Sequence, residues 1–207
     1  MSNNDFEEIL STFAMIFSST VLVVIFVIVA VIAFLFFVAA YVLSCLGIYR
    51  MAKKLNYEKP WLAWIPFANT WLMFNLPKNE YRVLALKKVI PDRTNAFWIF
   101  LAVNYGVDIV MTILKAIPVV QYVAAAISPI VGIAASVAYV FMGYPMYHDL
   151  YRLFLSKGTA KGFSIASVVG ALVFPILPPV LMFIASCKEP IEVEDADYVE
   201  TVAGEVY

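Results

Sequence analysis

The chain has 207 residues, of which 63% are hydrophobic, 15% aromatic and 14% charged, with a formal net charge of -1. Soluble domains carry about 25% charged residues, so this composition excludes an ordinary globular fold. The near-neutral balance also gives no footing for nucleic acid or an acidic partner.

The sequence reads as an all-α, polytopic helical membrane protein with four spans, in three parts. Residues 1–20 form an extracytoplasmic lead-in, 21–186 a helical membrane domain, and 187–207 an acidic tail. In the lead-in, Phe6, Ile9, Leu10, Phe13 and Phe17 recur at helical spacing beside Asp5, Glu7 and Glu8, the pattern of an interfacial helix. No Lys or Arg precedes Arg50, so the basic start of a cleaved secretory signal is not expected. From Phe13 to Tyr49 there is no charge at all, and Arg50, Lys53 and Lys54 follow at once. About 20 apolar residues cross a hydrocarbon core of about 30 Å, so a first span over 21–49 is expected. The cations mark its cytoplasmic end.

Residues 61–76 lie between Pro60 and Pro77, are interrupted by Pro66, Asn69, Thr70 and Asn75, and are short for a span. Trp61 and then Trp64, Phe67, Trp71 and Phe74 place aromatic rings at helical spacing, the last four on one face of a helix. A cytoplasmic interfacial or re-entrant aromatic segment is expected, since such rings favour the membrane boundary.

Three further spans are expected over 96–117, 120–147 and 163–186. Arg50, Lys53, Lys54, Lys59, Lys78, Arg82, Lys87, Lys88 and Arg93 fall in one loop and Arg152, Lys157 and Lys161 in another, against Lys115 and Lys188 elsewhere. This bias of twelve against two puts both loops in the cytoplasm and, with four spans, both termini outside. Cys45 and Cys187 then fall on opposite faces and should not pair. The tail carries Glu189, Glu192, Glu194, Asp195, Asp197, Glu200 and Glu205 and is expected to be disordered.

Asp108 lies near the middle of the second predicted span, where a charged carboxylate costs about 2.5–3.5 kcal/mol. It should face the bundle interior, find partners or be protonated. Asn104, Asp108 and Thr112 follow at i, i+4 and i+8, with Lys115 seven residues beyond Asp108, so the four form a polar stripe. Ser136 and Tyr139 on the third span are the candidate partners of Asp108, beside Gly132, whose spacing from Ser136 allows close helix approach. The stripe is either interhelical glue or an ion-responsive site. His148, the single histidine, reads as an interfacial polar contact or a pH sensor. Pro175, Pro178 and Pro179 predict a kink in the last span.

Catalytic constellations are absent: there is no Gly-x-Ser-x-Gly, His-Glu-x-x-His or phosphate-binding glycine loop, and Asp108 has no second intramembrane aspartate. Neither a cofactor nor a metal site is expected from one histidine and two separated cysteines.

Two stretches carry a resemblance. Tyr49 to Lys54, followed by Lys59-Pro60-Trp61-Leu62-Ala63-Trp64-Ile65-Pro66-Phe67-Ala68-Asn69, is similar to the post-span signature of a family of small bacterial multi-pass membrane proteins of unknown function. Lys157-Gly158 through Gly162-Phe163, with Phe174-Pro175-Ile176-Leu177 after it, resembles that family's glycine-rich entry and proline-containing last span. The resemblance implies a bacterial cell-membrane protein with an interfacial aromatic element and supplies no activity. The basic insert from Lys78 to Arg93 and the acidic tail depart from the family pattern.

The expected function is therefore a non-enzymatic subunit, scaffold or regulator of a membrane assembly, with a membrane-protein partner or a second copy of itself and with anionic lipid at the basic loop. The alternative is a small ion or solute transporter using Asp108 and the proline-broken last helix.

Overall fold

A computed structural model describes the backbone of residues 3–84 and 89–191, and side chains from residue 20 onward. The lead-in side chains, Lys87 and Lys88, and the tail beyond Ile191 lie outside the described residues. The chain divides into two compact units, residues 1–39 and 40–207.

The first unit belongs to the long helix α1 (Asn3–Lys54), and every residue from Thr20 to Ala39 is exposed. Val, Ile, Leu and Phe occupy all sides of it, as in a helix solvated by lipid rather than by water. Mean hydropathy reaches 3.6 in this stretch, and Thr20–Lys54 is long and apolar enough to cross a membrane.

In the second unit the end of α1 leads through a 3-10 turn (Pro60–Trp64) to α2 (Ala68–Asn75) and a small antiparallel ribbon of β1 (Tyr81–Arg82) and β2 (Val89–Ile90). Helix α3 (Arg93–Leu101) runs through a π turn (Ala102–Gly106) into α4 (Val107–Ala116), and α5 follows (Gln121–Arg152). Arg93–Ala116 and Gln121–Arg152 complete the three helices of membrane-crossing length and apolarity among the described residues. Helix α5 continues through Pro129 and Pro145, which remain inside it.

The predicted fourth span is not one helix. Helix α6 (Lys157–Val173) ends at Phe174, and α7 begins at Leu177. Pro178 and Pro179 fall in the first turn of α7, where backbone N–H groups have no helical acceptor, so the prolines start a helix instead of kinking one. Pro175 lies in the connection, closed by the Leu177 N–H donating to Phe174 O at 2.9 Å. The chain then folds back. Phe183 lies against Arg50, Lys188 O accepts from Lys54 Nζ at 2.8 Å, and the Ile191 N–H donates to Leu153 O at 2.8 Å, only four residues before α6 starts. Helices α6 and α7 thus form a hairpin whose two ends meet near Leu153.

Close packing is concentrated at the end of the unit that carries Lys54, Arg93 and Arg152. Ile48 and Met51 of α1, Leu72 and Phe74 of α2, Phe97 and Phe100 of α3, Met146 and Leu150 of α5, and Met182 of α7 belong to one buried cluster. Toward the α4–α5 turn the helices present apolar residues outward instead, including Ile109, Ile113, Val119, Ile130 and Ile133. An apolar surface of this kind is stable when hydrocarbon covers it.

Candidate functional site

The aromatic segment does not follow one helical face. Its helix is broken between Ile65 and Phe67, where Phe67 takes a φ of 65°, a left-handed conformation held only by surrounding contacts. Asn69 supplies them. Buried itself, it donates from Nδ2 to Ala63 O at 2.9 Å and lies 3.7 Å from Cys45 Sγ. On the other side of the break, Tyr41 OH donates to Trp64 O at 2.7 Å. The break separates the rings: Trp61, Trp64 and Phe67 are exposed, Trp71 is half-buried against Tyr57, and Phe74 is fully buried against Tyr81, Phe97 and Phe100. The one-face expectation failed because a continuous helix was assumed across Pro66.

The polar stripe is also split. The π turn ends just before Asp108 and rotates the helix face, since each i→i+5 bond adds a residue to its turn. Asn104 is half-buried and donates to Phe100 O at 2.9 Å, whereas Asp108, Thr112 and Lys115 are exposed. Thr112 Oγ1 donates to the Asp108 backbone carbonyl at 2.8 Å and Lys115 Nζ to Ser128 Oγ at 2.8 Å. The Asp108 carboxylate has no hydrogen bond or ion pair among the described residues. Its candidate partners turn elsewhere. Ser136 Oγ donates to Gly132 O of its own helix at 2.9 Å, and Tyr139 packs against Phe100 with its hydroxyl 3.4 Å from that of Tyr147. Of the three alternatives the sequence leaves for Asp108, the structure does not give the first: its side chain does not face the bundle interior.

A third cluster was missed as a unit. Arg93, read only as a loop cation, is buried and pairs with Asp149 through Nη2. Its remaining donors go to Asn79 O, to Asn79 Oδ1 at 2.6 Å and to Phe74 O at 3.0 Å, tying the ribbon, α2 and α5 to the start of α3. Asp92 caps α3 by accepting from the Thr94 N–H at 2.9 Å. Tyr81 lies beside the pair and donates to Met142 O. Burial pushes its hydroxyl well above the usual tyrosine range, with Asp149 adding to the shift and Arg93 opposing it. His148 stacks on Tyr144 at 5.7 Å, its Nδ1 lies 3.8 Å from Asp149 Oδ1, and its Nε2 is buried without a hydrogen bond among the described residues. A local signal for the node was only the Tyr-x-x-x-His-Asp-x-x-Arg order at the end of α5, because Arg93 lies 56 residues from Asp149.

Among the described residues no group of three His, Cys, Asp or Glu side chains is arranged to hold a metal. The proline break lies on the α6–α7 hairpin, while Asp108 lies on the exposed side of α4, and no hydrogen bond or ring contact among the described residues joins them. Compared with known proteins, the chain matches no family model, no curated protein and no solved structure.

Proposed function

We propose that the chain is a non-enzymatic subunit of a membrane assembly, packing through the outward face of α4 against a second membrane-spanning chain. One observation carries this reading: the exposed, unpaired carboxylate of Asp108 beside Ile109, Val110 and Ile113. Hydrocarbon opposite that carboxylate is unfavourable by about 2.5–3.5 kcal/mol, and a donor from a neighbouring helix relieves it. The partner is another membrane protein or a second copy of the chain. A transporter would need Asp108 and the proline break to line one passage, and their separation on different helix pairs counts against it.

The arrangement in the membrane is part of the proposal. Thr20–Lys54, Arg93–Ala116 and Gln121–Arg152 cross, while the aromatic segment and the α6–α7 hairpin enter from the cytoplasmic side and return to it. The contacts of Lys54 with Lys188 and of Leu153 with Ile191 support this reading. Three crossings then put every Lys and Arg of the chain except Lys115 on one side, a stronger bias than four crossings give. The N-terminus is extracytoplasmic, the C-terminus moves to the cytoplasmic side, and the membrane is the bacterial cell membrane that the resemblance implies.

The test is the mass of the protein particle purified in mild detergent from its native membranes, for wild type, Asp108→Asn and Asp108→Leu. Wild type is expected to run as a complex of defined stoichiometry, Asp108→Asn to retain part of it, and Asp108→Leu to run as a monomer. A wild-type monomer, or a complex that Asp108→Leu leaves intact, refutes the proposal.

A further inference from the structure

The return of α7 to the end of α1 creates a basic hollow that the Asp108 face does not involve. Arg50, Lys53, Lys54, Ser186 and Cys187 line a volume of about 390 Å³. Arg50 is held in place, its guanidinium 4.9 Å above the Phe183 ring and Nη1 3.8 Å from Cys187 Sγ. Lys54 is anchored by Lys188 O at 2.8 Å and by Glu189 at 3.1 Å. Lys53 is exposed and its side chain has no partner among the described residues.

Basic residues in the last turn of a helix ordinarily complement its carbonyl end, and that accounts for Lys53 and Lys54. It does not account for Arg50, which lies a turn earlier and is carried sideways onto another helix. Arg50 is also the first charge after the uncharged run that ends at Tyr49, so it stands where a span meets the headgroup layer. Beside it, the Phe183 ring gives the guanidinium an apolar neighbour.

We infer that this hollow binds the phosphate of an anionic phospholipid, with Arg50 and Lys53 on the phosphate oxygens and the acyl chains leaving past Phe183. Arg50 and Lys53 both line this hollow, and a guanidinium with an ammonium matches the charge and the acceptors of a phosphodiester. Phe183 against Arg50, and the place of Arg50 at the end of the uncharged run, favour a lipid over a soluble phosphate. The inference rests on the membrane reading and is independent of any partner at α4.

Cys187 reports occupancy directly, being exposed in the hollow while Cys45 is buried. Full-length protein in a neutral detergent is treated with a maleimide while phosphatidylglycerol, phosphatidylcholine or inorganic phosphate is titrated, with Cys187→Ser as the blank. Phosphatidylglycerol is expected to slow labelling, with phosphatidylcholine and inorganic phosphate inactive. Lys53→Gln should raise the half-protecting concentration about fivefold, as loss of one interfacial charge implies. Arg50→Gln should raise it further, and Asp108→Leu and Lys157→Gln should leave it unchanged. Unfolding temperatures establish that each variant is folded, and Lys53→Gln perturbs no contact of the described structure. Equal protection by phosphatidylcholine, no protection by phosphatidylglycerol, or an unchanged Lys53→Gln overturns the site. Protection by inorganic phosphate at the same concentration overturns the lipid assignment.

Discussion

Arg93→Met is the most informative single perturbation of the packed end. The Arg93 and Asp149 side chains are 5% and 11% exposed, so truncating Arg93 removes the guanidinium from a buried carboxylate that keeps His148 Nδ1 at 3.8 Å. Breaking a buried pair in this way destabilises by about 3–5 kcal/mol. The carbonyls of Phe74 and Asn79 lose donors as well, each worth about 1 kcal/mol where water cannot replace them. The upper part of that range is therefore expected, about 5 kcal/mol. At about 2–4 °C per kcal/mol for a chain of this length, the loss is about 10–20 °C in unfolding temperature in detergent. Replacing both partners, Arg93→Met with Asp149→Leu, removes the orphaned charge and should recover at least half of the loss. Arg93→Lys should not recover it, because a single ammonium cannot reach acceptors on α2, the ribbon and α5 together. The assay is thermal unfolding of these three variants, and of Asp149→Leu alone, against wild type. An Arg93→Met loss below about 1 kcal/mol, or a double variant no more stable than Arg93→Met alone, would refute this reading of the node.

Tyr81→Phe is expected to destabilise by about 1–2 kcal/mol at pH 8 by orphaning Met142 O. The folded state holds the Tyr81 hydroxyl neutral above its unfolded value, so its contribution is full below pH about 10 and falls as pH rises past that point. The gap between wild type and Tyr81→Phe should accordingly narrow between pH 9.5 and 11, about the unfolded tyrosine value, and a constant gap would contradict the burial argument. Gly170→Ala should destabilise by about 1–3 kcal/mol, because its Cβ would stand 2.8 Å from Leu177 Cβ at the hairpin turn. Gly162→Ala, in open space on the same helix, should be neutral or stabilising by up to about 1 kcal/mol. Equal effects of the two on unfolding temperature would remove the evidence for a tight turn.

The parts of the fold that sequence made visible are those set by local hydropathy. An uncharged run to Tyr49 could only be a long apolar helix, and the segments around Asp108 and Ser136 had the length of spans because nothing interrupted them. Direction was not visible in the same way. Residues 163–186 are equally apolar whether they cross once or turn back, and the decision rests on where Pro175, Pro178 and Pro179 fall relative to a helix start. Helical spacing likewise joined Trp64 to Phe74 across a break that Asn69 and Pro66 create through contacts distant in sequence. In the stripe, i+4 arithmetic failed at one turn, since the π segment at Asn104 leaves no mark in composition. Arg93 was countable as a charge, but its burial depends on α2, the ribbon and α5 converging on it.

Two cysteines decide whether α7 returns to the side from which α6 enters. In a Cys45→Ser background, native Cys187 and, in a second variant lacking it, a Lys115→Cys substitution are challenged with a membrane-impermeant thiol reagent in intact cells and in inverted vesicles. The account predicts opposite behaviour: Lys115→Cys labels from outside the cell and Cys187 only from the cytoplasmic face. Labelling of both positions from the same side would mean that the last segment crosses, and would contradict the account.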